Sequence, residues 1–261
     1  MIYTMRTFSP EFPLEEADAC LVGVPWDSTQ MGKSVKYGPL FIRQALREME
    51  GFDLESKNDL FDSKFCDLGD VEVVPGNWLL TQDRIVDTME HIRKVNPKAF
   101  PILLGGEHLI SLGALAGLGS KVTVVQFDAH ADISKEWMGE KYSQITWAHH
   151  AKQMGMKLVQ LGVRSCTKEE FAGLVEAKLG DVAGPVYLTV DMDVFDPSHA
   201  PDVSLPEPIG MLPAEFFSLL KKVCSHELVG MDIVECSADR VGTATSALAA
   251  NIIKKVMLWK K

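Results

Sequence analysis

VTVVQFDAHADI, residues 122–133, runs from a β-branched apolar segment straight into Asp128, His130 and Asp132, each separated by a single alanine. Alternate residues of an extended chain share a face, so a strand continuing through this point projects all three side chains the same way. Ala129 and Ala131 leave room for close approach. Without a cation such a cluster suffers carboxylate repulsion and desolvation unless it is simply solvated. The apolar run itself repeats in kind along the chain. ACLVGVP, PILLGG, KLVQLGV, VYLTV and LVGMDIV are likewise short, rich in Val, Ile and Leu, and apolar on both faces. Such strands suit a parallel sheet covered on both sides. Segments of helical spacing lie between them: Ile85, Val86, Met89 and Ile92 share one face, and Phe216, Phe217, Leu219, Leu220 and Val223 another. Pro39 suits the first turn of a helix over PLFIRQALREME. The repeated β-α pattern predicts an α/β fold, a doubly wound parallel sheet with helices on both faces, in one domain over residues 1–261.

The composition agrees and narrows the partners. A chain of 261 residues with 46% apolar content buries a large core. A formal net charge of −10 and no long basic block argue against nucleic acid and favour small cations. No apolar run is long enough to span a bilayer, and MIYTMRTFSPEF lacks the features of a secretory signal. Five scattered cysteines without a C-x-x-C pair point to reduced thiols and a cytoplasmic location, and exclude a cysteine zinc site.

Ligands of doubly wound folds sit beyond the carboxyl ends of the strands, and four strand ends carry the same chemistry. PILLGG is followed by Glu107 and His108, VTVVQF by Asp128, His130 and Asp132, VYLTV by Asp191 and Asp193, and LVGMDIV by Glu235. Each group alone is explained as a cap or turn, but four strands delivering them to one sheet edge indicate a metal site. Four carboxylates (Asp128, Asp132, Asp191, Asp193) and two imidazoles (His108, His130) exceed the needs of one tetrahedral zinc and suit octahedral, Mn²⁺-like ions. Two ions sharing bridging carboxylates would use all six. A pair about 3.5–4 Å apart makes a hydroxide nucleophile available at neutral pH, which implies hydrolysis of a polarised carbon centre.

The ordered blocks GGEHLI (105–110), FDAHADI (127–133) and VDMDVFDPSHAP (190–201) resemble the ureohydrolase family of arginases and agmatinases. The amino-terminal GVPWDSTQMGKSVKYGPLFIRQAL resembles that family's opening segments, so the likeness covers nearly the whole chain. The resemblance implies an arginase-like fold, a homo-oligomer (trimer or hexamer), and two Mn²⁺ per chain on His108, Asp128, His130, Asp132, Asp191 and Asp193. It further implies that Glu235 grips the guanidinium of a small cationic guanidino substrate, and that Asp132 passes a proton to the leaving nitrogen. Glu107 is expected to orient His108; Asp196, Pro197 and Asp27 are expected to shape loops.

Three stretches depart from the family pattern. Where an S-H-G/A-T segment is usual, this chain has Tyr142-Ser143-Gln144-Ile145-Thr146, which places Gln144 at the histidine position; glutamine orients a substrate or water but does not shuttle protons. A glycine- and threonine-rich segment is replaced by Asp202-Val203-Ser204-Leu205, and E-V-N-P by Glu235-Cys236-Ser237-Ala238. The segment ISKEWMGEKYS has no Asn to hold an α-carboxylate, while its Glu136 and Glu140 would attract the second amine of agmatine. The expected activity is therefore agmatine cleavage to putrescine and urea. The alternatives are arginine or another guanidino acid as substrate, or a metal-holding relative with little turnover.

Overall fold

The computed structural model describes residues 11–28, 31–119, 121–174 and 178–260; residues 1–10, on which the reading of the amino terminus rests, lie outside them. Seven strands form one wholly parallel sheet: β1 (Ala19–Val24), β2 (Phe65–Asp70), β3 (Phe100–Gly105), β4 (Thr123–Phe127), β5 (Lys157–Leu161), β6 (Val186–Asp191) and β7 (Leu228–Val234). Their order across the sheet is β2-β1-β3-β7-β6-β4-β5. Six coincide with the apolar runs. The seventh, β2, has no such run because it is an edge strand whose second half, Asp67 to Asp70, is not buried. Its carboxylates answer a helix instead. Arg43 of α1 (Gly38–Glu48) places Nε 2.9 Å from Asp67 and Nη1 2.6 Å from Asp70, and also donates to the Gly69 carbonyl. The arginine of the opening motif thus fastens α1 to the sheet edge.

Side chains alternate between two cores, as strands covered on both faces require. On one face Leu21, Val125 and Leu188 pack with Ile42 and Leu46 of α1, Phe216 and Leu220 of α6 (Pro213–Val223), and Ile252 and Val256 of α7 (Ala244–Trp259). On the other, Val22, Leu103 and Val124 pack with Ile85 and Met89 of α2 (Trp78–Val95), Leu112 and Leu115 of α3 (Ile110–Leu118), and Trp147 of α4 (Trp147–Gln153). Pro39 occupies the first turn of α1, where a missing N–H costs nothing. A further short helix, α5 (Lys168–Gly173), starts on a capping box between Thr167 and Glu170. Among the described residues no helix is long and apolar enough to cross a membrane.

The sheet order is what builds a site. Strands β3, β7, β6 and β4 lie side by side at its centre although they are far apart in the chain. Phe127 is in register with Val190, so Asp128 follows level with Asp191; Asp191 in turn pairs with Val234, one residue before Glu235. The four strand ends read from the sequence are therefore four adjacent ends. Asp196 caps its loop through the N–H groups of Ser198 and Gly210, and Asp27 accepts from Ser34 and Val35, both as loop-shaping residues.

The carboxy-terminal helix is tied to the loop after α1. Lys255 Nζ is 2.5 Å from Asp53, which also accepts from the Ser56 N–H. Burial alone would raise the Asp53 carboxyl, but the ammonium and the N–H outweigh it and hold the pKa at about 2. A carboxyl depressed on folding contributes stability that is present above its unfolded pKa, near 4, and lost as pH falls toward 2. Asp53→Asn is therefore expected to lower the unfolding free energy by about 1–2 kcal/mol at pH 7, with a smaller difference at pH 3. Urea unfolding at both pH values checks this; a pH-independent difference would remove the ion pair as its cause.

Candidate metal centre

Each strand end turns sharply to present its side chain. After β3, a Cβ on Gly106 would lie 1.9 Å from the Trp26 carbonyl oxygen, so only glycine lets the chain pass beneath that loop and carry His108 inward. After β4, the Asp128 N–H still pairs with Leu161 of β5 and His130 bridges Ser165, so the extended course persists for two residues. It ends at Asp132, whose φ of 55° is left-handed. Glu235, after β7, has a φ of 61°. Non-glycine residues in this region cost of order 1–3 kcal/mol, and here the surroundings fix both. The Asp132 carbonyl accepts from Ala148 and its carboxylate from Trp147, while the Glu235 N–H is held by the Gly106 carbonyl.

Five of the six predicted ligands fall into two groups that share Asp128: His108, Asp128 and Asp191, and Asp128, His130 and Asp193. Within each group one ligand atom per residue lies within 4.8 Å of the others, the spacing of donors around a common ion about 2.0–2.2 Å from each. Nδ1 of His108 stands 3.0 Å from Asp128 Oδ2 and 3.1 Å from Asp191 Oδ2; Nδ1 of His130 stands 2.9 Å from Asp193 Oδ2. The sixth residue, Asp132, sits beside the first group, with Oδ2 3.5 Å from His108 Nδ1.

The electrostatics show what this arrangement suits. Burial, with the neighbouring carboxylates, raises Asp132 and Asp191 well above the usual carboxylate range. The same carboxylates overcome the burial of His108 and His130 and lift both imidazoles to about 9. Four buried carboxylates facing one another call for positive charge between them, and a donor set of oxygen with a minority of nitrogen fits hard divalent cations.

Other residues hold these groups, and sequence reasoning missed them. Gln126, a buried amide inside the apolar run of β4, donates to Asp128 Oδ2 at 2.7 Å and is itself held by Gln160. Trp147 donates its indole N–H to Asp132 Oδ2 at 2.9 Å and stacks on the His108 ring, with centroids 4.4 Å apart. Arg164 gives its guanidinium to backbone carbonyls, among them those of Asp193, Val194 and Glu207, and so clamps the loop carrying Asp193. Glu107 departs from expectation. Its carboxylate accepts from the Ser28 N–H at 2.5 Å and secures the loop after β1, while the His108 ring is oriented through Thr189.

Beside the ligands lies a cavity of about 310 Å³ whose wall includes Glu235, Gln144 and Ser204 together with Met31, Trp137 and Leu205. Glu235 is buried; Oε1 accepts from the His108 N–H at 2.8 Å and Oε2 from Ser204 Oγ at 2.6 Å. Burial, with Glu107 nearby, pushes its carboxyl up to about 8. Val203 bridges Cys236 and the Ser237 N–H donates to Asp202, so two of the three stretches that differ from the family pattern pack against each other beneath Glu235. Glu136 and Glu140 are exposed in the turn around Trp137; Glu136 lines an adjoining cleft that shares Trp137, Thr167 and Glu170 with the cavity. Apart from Glu235 and the aspartates, the carboxylate in the cavity wall is Glu170, and no lysine or arginine stands among the described lining residues.

Residues 17–180 and 172–259 match the model of the arginase family. The chain belongs to the arginase family. It is 36% identical to the N(1)-aminopropylagmatine ureohydrolase of Thermococcus kodakarensis, over 97% of this chain and 95% of that one. The agmatinase of Pyrococcus horikoshii is 33% identical over 97% and 96%. Among solved structures, the agmatine ureohydrolase of Thermoplasma volcanium superposes with a TM-score of 0.89 at 28% identity, covering 99% of this chain and 95% of that one. As an arginase-family member the chain is a metal-dependent hydrolase of the ureohydrolase type.

Proposed function

We propose that this arginase-family chain is a binuclear manganese enzyme that cleaves agmatine to putrescine and urea. The observation that carries the reading is Glu235, a buried carboxylate held by two donors in the wall of the cavity that the metal groups also line. A planar guanidinium supplies the opposite charge in the fork geometry a carboxylate accepts. A bound ion pair on the six ligands would supply a nucleophile from water and Lewis acidity. The chain's own residues do the rest. Glu235 orients the guanidinium, Asp132 accepts a proton and returns it to the leaving nitrogen, and Trp147 keeps the Asp132 carboxylate turned for that exchange. Gln144, in the cavity wall, hydrogen-bonds substrate or water without shuttling a proton.

The tail of the substrate selects agmatine over arginine. A carboxylate would enter a cavity that offers it no cationic side chain among the described residues, and Glu170, Glu235 and the aspartates would repel it. An ammonium is favoured by the same charges, and the methylenes between find Met31, Trp137, Ile145 and Leu205. Elemental analysis of protein purified with Mn²⁺ is expected to give a ratio near two per chain; a ratio near one, or a preference for a single zinc, would defeat the binuclear reading. Urea release is expected from agmatine at a kcat/KM at least about tenfold above that for arginine or 4-guanidinobutyrate, the effect of one unpaired charge of about 1.4 kcal/mol. Equal rates would place tail recognition elsewhere.

A further inference from the structure

His108 meets the metal groups with Nδ1, and its other nitrogen enters a buried chain of hydrogen bonds. Nε2 is 2.8 Å from Thr189 Oγ1; Thr189 Oγ1 is 2.5 Å from Asp232 Oδ1; and the Tyr187 hydroxyl donates to Asp232 Oδ2 at 2.9 Å. His108, Thr189, Asp232 and Tyr187 are all fully buried. Thr189 and Tyr187 lie on β6 and Asp232 on β7, below the strand ends that carry Asp191 and Glu235, so none of the three touches the cavity.

The direction of the chain follows from counting donors. As a carboxylate Asp232 has no proton to give and takes one O–H from Thr189 and one from Tyr187, while Ser111 Oγ lies 3.4 Å from Thr189 Oγ1, which can accept from it as well. A threonine hydroxyl has a single proton; once that proton is given to Asp232, Thr189 can only accept from Nε2–H. The lone pair of His108 is thereby assigned to Nδ1, the nitrogen 3.0 and 3.1 Å from the carboxylates of Asp128 and Asp191. The Trp147 ring stacked on the imidazole leaves it little room to turn over.

We propose that Thr189, anchored by Asp232 and Tyr187, is a positioning residue that fixes His108 as an Nδ1 donor to the ion held with Asp128 and Asp191, and so gives that ion its affinity independently of the other. This rests on the reading of the six residues as metal ligands. Outer partners of ligating histidines commonly contribute about 10–100-fold in metal affinity. Among the described residues His130 has no corresponding chain, and its ring is partly exposed, so the two ions should respond differently.

The test is a titration of metal-free protein with Mn²⁺ alone, counting free ion by electron paramagnetic resonance. The variants are Thr189→Val, which keeps the shape and removes the hydroxyl, and Thr189→Ser, which restores it. One of the two binding steps is expected to weaken by about 10–100-fold in Thr189→Val and to recover in Thr189→Ser, with the second step and the melting temperature of the metal-free protein unchanged. Asp232→Asn should weaken the same step. The inference is overturned if Thr189→Val binds both ions as the unmodified chain does. It is equally overturned if both steps weaken together with a fall in metal-free melting temperature, which would make Thr189 a general packing residue. If the unmodified chain takes up no Mn²⁺, it is the metal assignment itself that has failed.

Discussion

Asp128→Asn is expected to empty both ion sites and lower hydrolysis by at least about a thousandfold, or about 4 kcal/mol of lost transition-state stabilisation. Asp128 alone belongs to both ligand groups, with Oδ2 toward His108 and Oδ1 toward His130. Both oxygens are spoken for on the protein side as well. Gln126 donates to Oδ2 and the His130 N–H to Oδ1, at 2.7 and 2.6 Å. An asparagine amide placed there removes one negative charge and turns an N–H₂ toward a donor, so the carboxamide can satisfy neither Gln126 nor an ion with that arm. Asp193→Asn provides the contrast, since Asp193 belongs only to the group containing His130; it should lose one ion and keep the other. Elemental analysis of both variants, with urea release measured on the same samples, checks the pair. Two ions retained in Asp128→Asn would show that Asp128 is not the shared ligand, and one ion lost in each variant would show that the groups are independent.

What the sequence disclosed follows from where each signal was written. The central strands were legible because a parallel strand buried on both faces must be apolar throughout, as in VTVVQF and LVGMDIV. The ligands were legible because they interrupt those runs at one end. Nothing in the chain ordered β3, β7, β6 and β4 side by side, since that order depends on contacts between segments far apart in the chain, such as Ile102 with Met231 and Thr123 with Val186. Strand β2 escaped because half of it faces solvent, and its Asp67 and Asp70 make sense only beside Arg43. The supporting side chains escaped for another reason. Gln126 and Asp232 stand as an amide and a carboxylate inside apolar strands, and Thr189 looks like an ordinary β-former. A buried amide or carboxylate in such a run must find partners, and asking where those partners lay was the signal available. Glu107 was misjudged because adjacency in sequence to His108 says nothing about direction: its side chain leaves the strand end on the side of the Ser28 loop.

Glu235→Gln is expected to lower kcat/KM for agmatine by about 30- to 5,000-fold while both ions remain bound. The substitution keeps the shape of the group and both of its protein contacts in modified form. The amide oxygen still accepts from the His108 N–H, and the amide N–H₂ can donate to Ser204 Oγ in place of the present acceptance. What is lost is the charge that faces the guanidinium. Removing one partner of a desolvated charged pair costs about 2–5 kcal/mol, which sets the stated range. Stability should move in the opposite direction. Burial raises the Glu235 carboxyl to about 8 from an ordinary value of 4.5, so the folded, substrate-free chain holds this proton more tightly than the unfolded chain does. A carboxyl raised on folding disfavours the folded state as pH climbs above its unfolded pKa, and glutamine removes that cost. The melting temperature of Glu235→Gln without metal or substrate should therefore equal or exceed that of the metal-free unmodified chain at pH 8. A residue that merely buttressed the His108 backbone would show the reverse pattern, a lower melting temperature and weakened metal binding with kcat/KM following the metal. Measuring all three on one preparation separates a substrate-gripping carboxylate from a structural one.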